Sequence, residues 1–321
     1  VFSLVLVVAM ILASFAGCGQ AAAPESDSPA TDQPAETTGS MKIGVSVMFS
    51  HPFFDTITEG IKSVMEPLGY TVIDKSGEFD VQAQIADVED FISQECDAIF
   101  IEPFDSAGIK PALEAAKKAG IPVICLDSPA NDVDLVAANC ATDNYDAGVQ
   151  NAKQLIADLG GKGKIIVLDS PQANSSLLRA DGFVETLKAE APDIEIVSQQ
   201  DYAGAQDKAL QIMGNIIQGQ PEVDAIYACN ENGILGAIPA VEAAGRADDG
   251  ILYYTVDGSA DFVQRVKDGE VAGVACQQPY QIGVLGAESM LKAMKGETIE
   301  KEIKVPVVYV TKDTVGDFKG F

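Results

Sequence analysis

Lys42-Ile43-Gly44-Val45-Ser46-Val47-Met48-Phe49-Ser50-His51-Pro52-Phe53-Phe54-Asp55 is the stretch on which the reading of the fold turns. The apolar run from Lys42 to Phe49 reads as a strand, and Pro52, whose fixed φ suits a first helical turn, opens a helix just behind it. A strand running straight into a helix is the unit of an α/β sheet. In such sheets ligands bind where loops leave the carboxyl ends of the strands. Phe53 and Phe54 stand at that mouth and are read as one wall of a binding cleft, because Phe is normally buried and is out of place at a rim. The plainer alternative tucks both rings beneath the helix as a staple.

Outward from this stretch the same alternation continues. Strands are expected at 42–49, 70–74, 97–101, 121–125 and 135–139, with helices near 53–68, 81–95 and 106–119. The last helix is expected to take Asp105 or Ser106 as its N-cap and to close at Gly120. A second series follows, with strands at 164–169, 194–198, 223–228, 250–255 and 271–276. Its helices are expected at 144–159, 175–190, 205–219, 231–244, 260–268 and 280–295. The fold class is therefore α/β, with two doubly wound parallel-sheet lobes. A length of 321 residues suits two domains of ordinary size.

Charge narrows the function. With 48 acidic against 21 basic residues the net charge is −27, which disfavours nucleic acid, whose phosphates need Lys and Arg. The first seventeen residues carry no charge and are too short for a comfortable membrane span, so 1–17 reads as a signal peptide. Phe15-Ala16-Gly17-Cys18 resembles the lipobox of bacterial lipoproteins, which makes Cys18 the expected lipidation site. Phe15 replaces the usual Leu, and no Lys or Arg precedes the apolar run; a simply secreted or uncleaved signal is the alternative. Residues 18–40, rich in Ala, Pro, Ser, Thr and acids, read as a flexible linker.

The remaining cysteines, Cys96, Cys125, Cys140, Cys229 and Cys276, lie in or beside apolar runs and lack metal-ligand spacing. They read as buried small hydrophobes, and sequence alone pairs none of them in a disulfide. His51 is the only histidine, so no His-based triad or multi-histidine metal site can be built. Neither a metal nor a cofactor is expected. Gly160-Gly161-Lys162-Gly163-Lys164 precedes a strand and does not open a helix, so it is a helix exit and not a phosphate loop.

Polar side chains recur after the strands: Asp127 and Ser128, Ser170 to Ser175, Tyr202, Asn230 and Glu231, Asp257, and Gln277 with Gln278. Carboxylates accept hydroxyl donors, amides both donate and accept, and an aromatic face covers the C–H side of a sugar ring. Any one of these residues is an ordinary cap or turn former. Six at equivalent positions beside Phe53 and Phe54 point to a neutral polyhydroxy ligand.

The order Ser-His-Pro-Phe-Phe-Asp (50–55), Val-Ile-Cys-Leu-Asp-Ser-Pro-Ala (123–130), Arg-Ala-Asp-Gly-Phe (179–183), Tyr-Ala-Cys-Asn-Glu-Asn-Gly (227–233), Tyr-Thr-Val-Asp-Gly (254–258) and Cys-Gln-Gln-Pro-Tyr (276–280) resembles the periplasmic ribose-binding proteins and their sugar-binding relatives. The resemblance implies a type I periplasmic binding protein with three hinge crossings, at Ala141–Asn144, Gln277–Pro279 and Val305–Val307. It assigns 41–142 plus 278–306 to an N-terminal lobe and 143–277 plus 307–321 to a C-terminal lobe. It implies an extracytoplasmic monomer, anchored here through Cys18, that delivers a small neutral sugar or polyol to the membrane permease of an ABC importer. Site residues carried over are His51, at the family's asparagine, then Phe53, Phe54, Asp127, Arg179, Asn230, Asp257 and Gln277.

Departures mark the specificity. Ser128 and Leu177 fall where ribose binders place ligand arginines, and the second-lobe aromatic aligns near Gly204, with Tyr202 its substitute. Asn174 and Ser175 are then expected replacement contacts. A sensor presenting a bound sugar or autoinducer to a receptor is the alternative, and a glycosidase using Asp127 and Asp257 a weaker one. Regulators of the lac-repressor class share the lobes but carry a helix-turn-helix where this chain has its linker.

Overall fold

The computed structural model describes residues 41–321, so the signal peptide, Cys18 and the linker lie outside the described residues. The first sheet holds β1 (Lys42–Val47), β2 (Thr71–Ser76), β3 (Ala98–Ile101), β4 (Val123–Leu126), β5 (Ala138–Thr142) and β11 (Glu302–Val305). Its order is β2-β1-β3-β4-β5-β11, all neighbours parallel. The second holds β6 (Gly163–Asp169), β7 (Ile194–Asp201), β8 (Ala225–Ala228), β9 (Leu252–Asp257), β10 (Gly273–Cys276) and β12 (Val308–Thr311). Its order is β7-β6-β8-β9-β10-β12, with only β12 antiparallel.

Both sheets thus reverse their strand order at the same place, between β1 and β3 in one and between β6 and β8 in the other. Diverging connections open a crevice at such a switch point, which is where ligands sit in open α/β sheets. The loops that leave it begin at Met48, Glu102, Ser170 and Cys229.

Side-chain alternation explains why the strands are buried on both faces. Ile43, Val45 and Val47 of β1 join a core with Phe100, Ile124 and Leu126, whereas Ser46 points the other way and donates to Asp87. Ile99, Ile101 and Cys125 fill that second face. Each fully buried aliphatic side chain contributes roughly 1.5–3 kcal/mol.

The helices are α1 (Pro52–Met65), α2 (Val81–Ser93), α3 (Lys110–Ala119), α4 (Asn144–Leu159), α5 (Asn174–Glu190), α6 (Gln206–Gly219), α7 (Glu231–Ala243), α8 (Ala260–Asp268) and α9 (Pro279–Met294). Each lobe seats one helix pair through glycines. A Cβ on Gly60 of α1 would lie 2.3 Å from the Tyr280 carbonyl oxygen, and one on Gly283 of α9 would lie 2.0 Å from that of Ile57. In the second lobe a Cβ on Gly148 of α4 would lie 2.1 Å from the Arg179 carbonyl oxygen, and one on Gly182 of α5 would lie 2.2 Å from that of Tyr145.

Three sequence expectations shift. Helix α3 begins at Lys110 and not at 106, because the Asp105 carboxylate is spent on the Ala107 and Gly108 N–H groups in a preceding turn, and neither Asp105 nor Ser106 is its cap. Strand β5 starts three residues later than expected, at Ala138, since Leu135 is held in a turn by Asp132. Buried Asn139 and Thr142 are accommodated in β5 by partners from elsewhere in the chain: Glu302 for Asn139 and Gln277 for Thr142. Strands β11 and β12, four residues each and split by Pro306, carry no pattern strong enough to be read beforehand. Gly160, left-handed at φ 64°, ends α4 as a helix exit, in keeping with the reading of the Gly-Lys run. The five described cysteines are buried and unpaired.

Candidate functional site

At the end of β1 the chain turns at His51, whose Nδ1 accepts the Phe53 N–H at 3.2 Å and so caps α1. His51 itself is exposed. Phe53 and Phe54 are each only 6% exposed. Their rings pack edge-to-face with one another at 5.3 Å, and Phe53 meets Phe321 at 5.1 Å. The expected rim exposure of this pair is therefore not what the fold produces. Packing against the end of the chain covers Phe53, and Phe49, 5.1 Å away and edge-to-face, covers Phe54. The exposed aromatic surface beside them comes from Phe79, stacked on half-buried Phe49 at 4.1 Å, and from Phe104, 6.1 Å from Phe79. Phe79 holds a left-handed backbone at φ 62°, uncommon for a bulky residue.

Two carboxylates rise from neighbouring strand ends of this lobe. Glu102 follows β3 and is 1% exposed, and neither carboxylate oxygen has a hydrogen-bond partner among the described residues. Burial, with Asp127 and Asp55 adding like charge, raises its carboxyl well above the ordinary range. Asp127 follows β4 in a left-handed conformation, φ 57°, one of the few side chains that tolerate it. Burial pushes its carboxyl up to about 6; Arg179 opposes the shift and Asp257 adds to it. Ser128 follows it, half-buried.

The second lobe is cross-linked. Arg179, buried on α5, donates Nε to Asn144 Oδ1 at 2.7 Å. Its Nη1 reaches the Cys229 carbonyl at 3.0 Å and Asp257 Oδ1 at 3.2 Å. The same Asp257 oxygen accepts Gln277 Nε2 at 2.8 Å, and Gln277 Oε1 accepts the Thr142 hydroxyl at 2.7 Å. Glu231 accepts the Gly258 and Ser259 N–H groups, both at 2.8 Å, and the Ser259 hydroxyl at 2.7 Å. Burial and Asp257 push its carboxyl up to about 7.

Tyr202 is fully buried, so its ring belongs to the core and not to the cleft surface. Its hydroxyl donates to Asn230 Oδ1 at 2.6 Å, which makes it a positioning residue for that amide. Asn174 opens α5 with an exposed side chain.

This network spans the chain's passages between the sheets. Thr142 ends β5, Asn144 opens α4, and Gln277 follows β10. The passages are also tied to each other: the Asp143 N–H reaches the Val305 carbonyl at 2.8 Å, Lys304 pairs with Asp143 at 3.2 Å, and Gln278 Nε2 reaches the Pro306 carbonyl at 2.8 Å. Between the lobes lies a cavity of about 660 Å³, bordered by Phe104, Ser128 and Asn131 on one side and Ser170, Asn174 and Ser175 on the other.

Sequence reasoning did not single out Glu102, Thr142 or Asn144. Thr142 and Asn144 fall in the first expected crossing, which was the available signal; Glu102 reads as an ordinary loop residue. Chemically the arrangement offers acceptors, amides and aromatic faces. Among the described residues no group of three or more His, Cys, Asp or Glu is placed to hold a metal ion. His51 has its Nδ1 occupied by the helix end.

Comparison with known proteins agrees with this layout. A family model described as periplasmic binding protein domain matches residues 43–298. The ribose import binding protein of Bacillus subtilis is 33% identical over 273 residues, 84% of this chain and 87% of that protein. A xylitol-binding protein of Mycolicibacterium smegmatis is 28% identical, covering 88% and 80%. Among solved structures, an ABC transporter periplasmic solute binding protein from Actinobacillus succinogenes with bound D-allose superposes with a TM-score of 0.79 at 28% identity, over 87% of this chain and all of that one. With the two doubly wound lobes and the polar network at their junction, these matches establish that the chain belongs to the periplasmic binding protein family, as a relative of the ribose import binding proteins.

Proposed function

We propose that the protein is an extracytoplasmic solute-binding component that captures a neutral sugar or polyol between its lobes and passes it to the permease of an ABC importer. The observation that carries this reading is the Thr142–Gln277–Asp257–Arg179–Asn144 chain of hydrogen bonds. It presents an oriented carboxylate and amide at the junction of the lobes, facing Asp127 and the aromatic side. Such a surface suits hydroxyl groups, and its one buried cation, Arg179, is already neutralised by Asp257. The family relatives named above are binding proteins for ribose, xylitol and D-allose, all uncharged polyhydroxy compounds.

The protein works by binding, without turnover. Ligand first meets one lobe, and rotation about the crossings brings the other lobe onto it; contacts made to both lobes at once are the differential affinity that favours closure. Cys18 holds the protein to the membrane by a lipid, and residues 18–40 serve as the tether.

A thermal-shift screen of purified protein against pentoses, hexoses, polyols, amino acids and peptides tests the ligand class, since a compound that binds only the native state raises the melting temperature. Stabilisation by at least one neutral polyhydroxy compound is expected. A shift with amino acids or peptides alone sinks the reading. For the anchor, Cys18→Ser is expected to move the protein from the membrane fraction to the soluble one.

A further inference from the structure

The segment after β12 reaches from one lobe to the other. Val310, Val315 and half-buried Phe318 pack in the core of the second lobe, and Lys267 Nζ donates to the Phe318 carbonyl at 2.9 Å. Further on, Phe321 pairs with the turn that follows β9. Its N–H reaches the Gly258 carbonyl and its own carbonyl accepts the Ala260 N–H, both at 3.3 Å. Gly320 makes this approach possible: it is left-handed at φ 78°, and a Cβ there would lie 2.4 Å from the Gly258 carbonyl oxygen. By its backbone, Phe321 belongs to the second lobe.

Its ring does not. Among the described residues of this segment Phe321 alone packs against the core of the first lobe, where it meets Phe53 edge-to-face at 5.1 Å. The same geometry runs on from Phe53 to Phe54 at 5.3 Å and from Phe54 to Phe49 at 5.1 Å. An aromatic row of the first lobe thus ends on a ring anchored in the second.

The anchoring turn is the one that carries Asp257. Asp257 leaves β9 at φ 119°, a conformation that L residues rarely adopt and that persists only where the surroundings hold it. Glu231 holds this turn through the Gly258 and Ser259 N–H groups, and Phe321 clasps it through the Gly258 carbonyl and the Ala260 N–H. The passages near Thr142, Gln277 and Val305 join the lobes covalently. The contact between Phe53 and Phe321 is of another kind, because each ring is fixed to a different lobe. Rotation at the crossings changes the distance between the two rings, and a contact made in only one of two arrangements shifts the balance toward that arrangement.

Resting on the sugar-binding reading above, we propose that Phe321 is a latch between the lobes, a positioning residue that holds Phe53 against the Asp257 turn and favours the closed arrangement before ligand arrives. Ligand then meets a cleft already partly assembled, and its apparent affinity rises with the fraction of molecules in that arrangement.

Dipolar distances between spin labels on the ligand-free full chain test the latch, in a Cys18→Ser background in which the five described cysteines are buried. Labels at Gln82→Cys and Lys208→Cys sit at exposed positions in the first turns of α2 and α6, next to β2 and β7, the sheet edges opposite the crossings. Phe321→Ala is expected to lower the ratio of short-distance to long-distance molecules by roughly threefold or more, the scale of one edge-to-face aromatic pair. Gly320→Val, which lifts the segment off the turn, is expected to do the same. Phe321→Tyr keeps the ring and is expected to keep the native ratio, a rescue that a general loss of packing does not produce. Isothermal titration with neutral sugars and polyols, among them ribose, xylitol and D-allose, reads the consequence. A compound that binds the native chain is expected to bind Phe321→Ala more weakly by the same factor. An unchanged distance ratio in Phe321→Ala and Gly320→Val overturns the latch, whether or not a sugar binds. A lowered ratio with unchanged affinity overturns its part in binding. A lowered ratio in a chain that binds none of these compounds upholds the latch and overturns the sugar reading instead.

Discussion

The two lobes face the same junction with opposite strategies. The second lobe holds its charges in place with its own atoms: Asp257 is bonded to Arg179, Gln277 and the Glu231 N–H, and Arg179 is further held by Asn144 and Cys229. The first lobe presents carboxylates that nothing in the protein answers. Glu102 has no partner among the described residues, and no protein hydrogen bond to the Asp127 carboxylate occurs among them either. A mutually satisfied network is pre-organised and is lost as a unit, whereas an unanswered carboxylate costs the fold. On the proposed reading the second lobe holds Asp257 and Gln277 ready for the ligand, and the first lobe leaves Asp127 for hydroxyl donors that the ligand brings.

Removing Asp257 breaks this comparison most severely. Asp257→Ala leaves the buried Arg179 without its counter-ion and is expected to destabilise the protein by about 3–5 kcal/mol, read by urea unfolding. A loss below about 1 kcal/mol means the second lobe is not held by this network. Asp127→Asn is expected to behave in the opposite way. Sugar affinity drops by about 2–3 kcal/mol as a charged acceptor is lost, while the melting temperature at pH 7.5 without added sugar stays level or rises.

The helix pairs ask whether the lobes are equally intolerant in their cores. Gly283→Ala in the first lobe and Gly148→Ala in the second each place a methyl against a carbonyl oxygen, 2.0 and 2.1 Å away. Each is expected to cost about 1–3 kcal/mol. Unequal losses in urea unfolding would show that only one pair is close-packed.

The smallest effect is with pH. Folding raises the carboxyls of Glu102, Asp127 and Glu231, the last two to about 6 and about 7. Unfolded carboxylates titrate near ~4, so between about pH 4 and 7 the folded protein binds more protons than the unfolded chain. Stability is therefore expected to rise as pH falls through that window, by about 1 kcal/mol from pH 7.5 to 5.5 after allowing for solvent at the partly exposed groups. Asp127→Asn and Glu102→Gln should each flatten the slope. A protein that loses stability steadily over the same range contradicts the assignment.

Much of this was legible beforehand. Alternating apolar runs and helical patterns, broken by Gly and Pro, specify two doubly wound sheets, and the ligand end of each strand follows from that architecture. Asp127, Asn230, Asp257 and Gln277 were visible because each directly follows an apolar run, where a polar side chain must stand at a sheet end. What escaped depended on partners distant in the chain. Whether Phe53 points inward is decided by packing with Phe321, far along the chain, and whether Tyr202 lines the cleft or supports Asn230 is decided by core space around its ring. Strands β11 and β12 exist because β5 and β10 offer them edges, and their own residues carry little strand signal.

The sequence by itself determined the class of fold, the two-lobe plan and the loops that carry the chemistry, because hydrophobic period and turn residues act locally. Only the tertiary structure decided which carboxylate is satisfied and which is not. Burial, hydrogen-bond partners and the space between the lobes are set by residues that meet across the fold.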